Sequence, residues 1–139
     1  MPDPLVLYEV DEKVGIVTLN RPEKLNAISA ELQEQLTEAF ARADADQQTS
    51  VVLLRAEGRS FCAGYDISAK EPAKDDWRSD ATRAHDHLRV QLDFEMVPWL
   101  MKKPVIGSVQ GSSYAEAMVT GEEVSPKPPK GARSDAPLV

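Results

Sequence analysis

A chain of 139 residues, 42% of them hydrophobic, is long enough for one domain with its own core and short for two. Sixteen basic against twenty-three acidic residues leave a formal net charge of -7, which argues against a broad nucleic-acid or anionic-membrane surface while leaving room for a local basic pocket. No stretch reaches the ~20 apolar residues that span a bilayer. The start, MPDPLVLYEV, lacks a basic segment followed by a long apolar one. A single cysteine, Cys62, cannot form an internal disulfide, so a cytoplasmic location is the expectation.

Residues 5–10 (LVLYEV) and 14–20 (VGIVTLN) are short and rich in Val, Ile and Leu, and Asp11-Glu12-Lys13 separates them, which predicts a β-hairpin. Pro22 then ends the sheet pattern, because it offers no ladder donor and fixes its own φ. From Ser29 the period changes to steps of three and four, through Ile28, Leu32, Leu36, Ala39, Phe40 and Ala43. Ser29 is the expected N-cap, and Glu31 falls in the first turn, where the helix dipole favours negative charge.

Val51-Val52-Leu53-Leu54 is a continuous apolar run, the pattern of a strand covered on both faces. Strand, loop, helix and strand in this order predict a crossover connection and an α/β arrangement. Residues 58–76 read as a polar loop, and 77–101 as helical in the middle, where Leu88, Leu92 and Met96 keep helical spacing until Pro98 ends or kinks the helix. Residues 103–109 (KPVIGSV) read as another buried strand. Residues 112–120 fit a short helix. Beyond them, 121–139 holds four of the ten prolines and little that could enter a core, so a disordered tail over 112–139 is expected after an ordered part over 1–111.

The stretch RSFCAGYDI, residues 59–67, places a glycine where the chain leaves a buried strand. Such a glycine lets the backbone turn sharply and lets another group come close. Amides aimed into a pocket can stabilise a developing oxyanion, and losing one such donor costs ~10² to 10³ in rate. Taken alone, Ala63-Gly64-Tyr65-Asp66 reads as a structural turn.

Its neighbours add to that. The ordered motifs LNRPEKLNAIS, VVLLRAEGRSFCAGYDI and KKPVIGSVQG, with a helix between the first two and a helical segment before the third, resemble the enoyl-CoA hydratase/isomerase (crotonase) family over residues 5–111. The resemblance implies a β-β-α spiral, present here in part, that assembles into trimers or pairs of trimers and binds acyl-CoA thioesters. It implies a CoA nucleotide held by the segment Asn20 to Ala27, with Arg21 and Lys24 toward phosphates and the backbone near Leu25 and Ala27 along adenine. Ala63, Tyr65 and Ile67 match the second wall, and the backbone N–H of Tyr65 matches the first oxyanion donor. No separate cofactor is implied, because coenzyme A arrives with the substrate, and no metal.

The chain departs from the family pattern after Gly111. By register Glu116 falls where the glycine of the second donor is expected, and Val119 where the hydratase glutamate is expected. Positioned acid/base groups contribute ~10² to 10⁴ in rate, and Val119 cannot transfer a proton. Glu116 would oppose a developing oxyanion unless it pointed away. A second family carboxylate would lie farther along, so the expectation is a truncated chain lacking full catalytic machinery.

The remaining candidates read as structural. Glu122 and Glu123 are adjacent but sit in a polar tail. His85 and His87, two apart, point to different sides of a helix and make a poor metal pair. Cys62 is expected to pack as a small apolar group, Trp77 and Trp99 in a core or interface, and Asp44, Asp46, Asp75 and Asp76 on solvated faces. Two further readings stand beside a crotonase-like acyl-CoA-binding protein. One is a noncatalytic acyl-CoA-binding or subunit-interacting module, pairing with itself or with a full-length relative. The other is a nonfunctional truncated product, for example from a change of reading frame after Gly111.

Overall fold

A computed structural model describes residues 3–68, 80–111 and 113. Strands β1 (Val6–Asp11) and β2 (Val14–Leu19) pair antiparallel through the turn at Glu12 and Lys13, which confirms the hairpin. Helix α1 (Ala30–Ala45) follows, and Ser29 caps it as expected, its Oγ accepting from the Leu32 N–H at 3.2 Å. Strand β3 (Val51–Ala56) lies parallel to β2, with Val17 opposite Leu54. Helices α2 (Ala81–Glu95) and α3 (Val97–Leu100) lead to β4 (Val105–Gly107), parallel to β3. The sheet order β1-β2-β3-β4 with the helices as crossovers is the mixed α/β arrangement expected.

The core follows from strand alternation. Val6, Val17, Leu19, Val52, Leu54 and Val105 meet Leu32, Leu36, Ala39, Phe40 and Ala43 of α1, all buried. Side chains two residues apart share a sheet face, so Leu7, Glu9, Thr18, Leu53, Arg55 and Ile106 turn the other way. There Arg55 donates to Thr18 Oγ1 at 3.0 Å and to Glu9 Oε1 at 2.8 Å. A second register of contact comes from Gln35 on α1, whose Oε1 accepts the backbone N–H groups of Leu5 and Val6.

Several expectations are corrected. The run Val51–Leu54 predicted a strand covered on both faces, yet Val52 and Leu54 are buried while Leu53 is half-buried, because α1 packs on one face of the sheet. Ile28 belongs to the apolar period of α1 but precedes the cap and pairs with Tyr65 instead. Leu88, Leu92 and Met96 keep helical spacing but are exposed, and Phe94 is the residue of α2 that enters the core. The end or kink expected at Pro98 is present as a break at Met96, with α2 stopping at Glu95 and Pro98 in the first turn of α3. Trp99 is 71% exposed, and the strand expected over 103–109 is three residues long, with Ile106 exposed. The readings of Trp77, Asp75, Asp76, Glu116, Val119, Glu122 and Glu123 lie outside the described residues, and so does the tail over 112–139 apart from Ser113, which forms a parallel bridge with Cys62.

Candidate functional site

Two turns form the site. The first runs from Asn20 to Ile28. Pro22–Lys24 makes one 3-10 turn, closed by the Leu25 N–H donating to the Pro22 carbonyl at 3.0 Å. Leu25 and Asn26 then both occupy the left-handed region, at φ 53 and 54. That region costs a non-glycine residue roughly 1–2 kcal/mol, least for Asn. Asn26 offsets the cost from full burial: its Nδ2 donates to the carbonyls of Glu57 and Ser60 at 2.9 Å each, and its Oδ1 accepts the Arg21 N–H at 2.8 Å.

The second turn, residues 57–68, leaves β3. Gly58 stands at φ +88 and Gly64 at φ +90, conformations that side chains rarely adopt. The turns are stitched through main chain. Ala63 N–H donates to Leu25 O at 3.0 Å, Ile28 N–H to Gly64 O at 2.8 Å, and Asp66 N–H to Ile28 O at 2.9 Å. The last two bonds make Ile28 and Tyr65 a parallel bridge. In such a bridge Ile28 uses the groups on either side of Tyr65, so Tyr65's own N–H is directed to the opposite side, away from the first turn.

One ion pair locks the two turns together. Arg21 Nη1 donates to Asp66 Oδ2 at 2.7 Å and to the Ala27 carbonyl at 2.9 Å, and the two side chains are 16% and 8% exposed. The Ser68 hydroxyl and backbone N–H, with Arg21, hold the Asp66 carboxyl well below its usual range. The third motif closes behind: Phe61 N–H donates to Gln110 O at 2.9 Å, Gln110 Nε2 donates to Ala56 O at 2.6 Å, and Gly111 at φ +62 leaves no room for a side chain beside the Arg59 carbonyl.

The expected site residues are therefore distributed as follows. Arg21, Leu25, Ala27, Ala63 and Tyr65 come together at the seam between the turns. Lys24 is exposed on the 3-10 turn, and Ile67 is 97% exposed at the far end of the second turn. Asn26 and Asp66 carry much of the polar bonding at the seam, and neither was singled out from sequence. The signal available was their place within LNRPEKLNAIS and CAGYDI, but beside the local bonds to Arg21 and Ser68 their bonds across the seam reach partners 31 to 45 residues away. Cys62 is buried, as expected, beneath the second turn. Among the described residues no group of three His, Cys, Asp or Glu side chains is placed to hold a metal ion. Nor is any helix among them long and apolar enough to cross a membrane.

The family model described as Enoyl-CoA hydratase/isomerase matches residues 9–120. The chain is 31% identical over 98 residues to "Probable enoyl-CoA hydratase 1, peroxisomal" of Arabidopsis thaliana, covering 70% of this chain and 34% of that protein. It is 32% identical over 111 residues to 1,2-epoxyphenylacetyl-CoA isomerase of Escherichia coli K12, covering 76% of this chain and 40% of that one. The crystal structure of a probable enoyl-CoA hydratase from Mycobacterium thermoresistibile superposes with a TM-score of 0.65 at 37% identity, covering 76% of this chain and 41% of that chain. The chain thus spans about a third to two fifths of the length of these three proteins. The family match extends over most of its residues, and the chain belongs to the enoyl-CoA hydratase/isomerase family.

Proposed function

We propose that the chain binds acyl-CoA thioesters at the seam between residues 20–28 and 57–68, and that the Tyr65 backbone N–H donates to the thioester carbonyl oxygen. The bridge between Ile28 and Tyr65 carries this reading, because it aims that amide away from the first turn. A donor fixed before the reaction stabilises charge as it develops without reorganising. Lys24, exposed on its turn, meets a CoA phosphate. Arg21 is held by Asp66 and Ala27, so it adds positive charge to the pocket rather than an open fork. The backbone of Leu25 and Ala27 borders the adenine, with Ala63 and Ile67 as the opposite wall. Coenzyme A enters as part of the substrate, with no separate cofactor.

Under this reading the chain alone binds without hydrating, because Val119 occupies the position where the family resemblance expects a glutamate. Calorimetry with crotonyl-CoA is expected to show binding, and an absorbance assay of the enoyl thioester no turnover. Absence of any heat with CoA thioesters refutes the binding claim, and hydration that Gly64→Ala abolishes refutes the inactivity claim. The reading includes a cytoplasmic location, tested with a fluorescent fusion; the peroxisomal label of the Arabidopsis thaliana relative names the contrary outcome.

A second reading, a subunit-interacting module, is favoured by the apolar side chains exposed along α2, α3 and β4, among them Leu88, Leu92, Trp99, Leu100 and Ile106. Mass measurement in solution tests it. A monomer at all concentrations removes self-association.

A further inference from the structure

We propose that Asn26 is the positioning residue of this site, a buried amide that sets the spacing of the two ligand-facing turns without touching the ligand. This deepens the acyl-CoA reading above and rests on it. Leu25 and Ala27, on either side of Asn26, are half-buried at the seam, while Asn26 itself is fully buried. Its Oδ1 accepts the Arg21 N–H at 2.8 Å and so closes the first turn on itself. Its Nδ2 donates to the Glu57 and Ser60 carbonyls at 2.9 Å each, which grips the second turn at two points. A side-chain amide has two donor hydrogens, and both are used across the seam.

Three demands meet at this position. The backbone stands in the left-handed region at φ 54, which a short polar side chain tolerates best after glycine. Two carbonyls need donors and one N–H needs an acceptor. Ionised aspartate supplies the acceptor without donors, serine has one donor hydrogen and glycine offers neither group, so asparagine alone of these answers all three. Repulsion sets the other limit. Gly58 lies between the two gripped carbonyls, and a β-carbon there would stand 2.7 Å from Pro22 Cβ. The turns are thus drawn together by the amide and stopped by the Pro22–Gly58 contact. That spacing carries on to the main-chain bonds of the seam, from Ala63 N–H to Leu25 O at 3.0 Å and from Ile28 N–H to Gly64 O at 2.8 Å. Without the two donors the Glu57 and Ser60 carbonyls turn to water, and the seam opens for part of the time. Apparent affinity then falls with the fraction of chains that hold the binding spacing.

The test is calorimetric titration of the full chain with butyryl-CoA, together with amide exchange of the unliganded chain, for Asn26→Asp, Asn26→Gly and Gly58→Ala. Val17→Ala, a core substitution outside both turns, controls for lost stability. Asn26→Asp keeps the acceptor but removes both donors, and is expected to weaken binding ~10-fold at about pH 8, as a seam closed in roughly a tenth of the chains would. A protonated carboxyl donates once, so this loss, taken against the unsubstituted chain at the same pH, is expected to shrink at about pH 5. Gly58→Ala pushes the turns apart, and with Asn26→Gly it is expected to weaken binding by a similar factor. Exchange at Ala63, Ile28 and Asp66 is expected to accelerate more than exchange within the β1-β2 pairing. Val17→Ala is expected to bind as the unsubstituted chain does. Circular dichroism identifies any variant that fails to fold, and the others then decide. Folded variants that bind like the unsubstituted chain overturn the inference, and so does an Asn26→Asp loss that is the same at both pH values. Exchange that accelerates uniformly, or a Val17→Ala loss as large as the others, means that Asn26 only stabilises the fold and overturns it too. An unsubstituted chain that does not bind butyryl-CoA overturns the acyl-CoA reading itself, and the inference with it.

Discussion

Arg21 Nη1 lies 2.7 Å from Asp66 Oδ2 and joins two turns that are 45 residues apart in the chain. The pair is shielded from solvent on both sides and supplemented by the Ala27 carbonyl on the arginine and by Ser68 on the aspartate. It sets the spacing of the seam at which both motifs meet.

The pair has a pH consequence. Asp66 titrates below its usual 3.8, through its bonds from Ser68 and then Arg21. A carboxyl with a depressed folded value contributes stability above its unfolded value and loses it as pH falls through the folded one. Asp66→Asn is therefore expected to lower the urea midpoint at neutral pH and to flatten its decline below about pH 4. An unaltered acid limb in the variant would show that the ion pair is not the titrating contact.

Gly64 stands at φ +90. Gly64→Ala places a β-carbon in a region that costs roughly 1–2 kcal/mol for an L-residue, and the chain relieves it by rotating the turn. The Tyr65 amide moves with it. The expected result is a small fall in stability with a larger fall in acyl-CoA affinity, read by thermal melting and calorimetry on the same sample. Equal losses in both would mean that the turn matters only for folding.

Asn26 is fully buried and makes three hydrogen bonds while holding a left-handed backbone. Asn26→Ala removes the bonds and keeps the strain, leaving the Glu57 and Ser60 carbonyls short of a donor. An unsatisfied buried group costs ~1–3 kcal/mol, so a loss of at least that size in chemical unfolding is expected. Asn26→Gly, which relieves the backbone but not the carbonyls, should fall between the two.

What could be read from sequence and what could not divide along one line. The β1-β2 hairpin, the Ser29 cap and the buried side of α1 follow from residue period and local capping, signals carried within a few neighbours. The left-handed pair Leu25-Asn26 has no glycine to mark it, and Asn26, Asp66 and Glu95 acquire their long-range partners through the fold. Asp44 and Asp46 read as solvated charges, yet Asp44 accepts the Lys102 and Lys103 N–H groups and Asp46 accepts the Tyr8 hydroxyl at 2.9 Å. Helical spacing at Leu88, Leu92 and Met96 reported a helix correctly but not its buried side, which is Phe94, because period identifies a stripe without saying what covers it.

Phe40 is fully buried at the centre of the α1 face, against the sheet. Phe40→Ala is expected to cost ~3–5 kcal/mol, the range for truncating a buried aromatic. Ser29→Ala, which removes one cap bond at the exposed end of the same helix, should cost ~1 kcal/mol. Urea unfolding of both variants checks the ordering. A cap loss as large as the core loss would mean that α1 is held by its end rather than its face.

Lys103 fastens the start of β4 to the end of α1. Its Nζ donates to the carbonyl of Ala43 at 2.7 Å, to Thr49 Oγ1 at 2.9 Å and to the carbonyl of Asp46. The last turn of a helix leaves carbonyls without intrahelical donors, and a cation there also meets the negative end of the helix dipole. Lys103→Met keeps the length and apolar stem of the side chain but removes all three bonds. A hydrogen bond from a charged donor is worth ~1.5–3 kcal/mol, so a net loss of at least about that size is expected. The damage should be local. Strand β4 is bound to β3 through Val52 N–H to Pro104 O and Ser108 N–H to Leu54 O, so amide exchange at these two positions should accelerate more than exchange within the β1-β2 pairing. Uniform acceleration across the sheet would instead place Lys103 in the global unfolding unit and remove the fastening role.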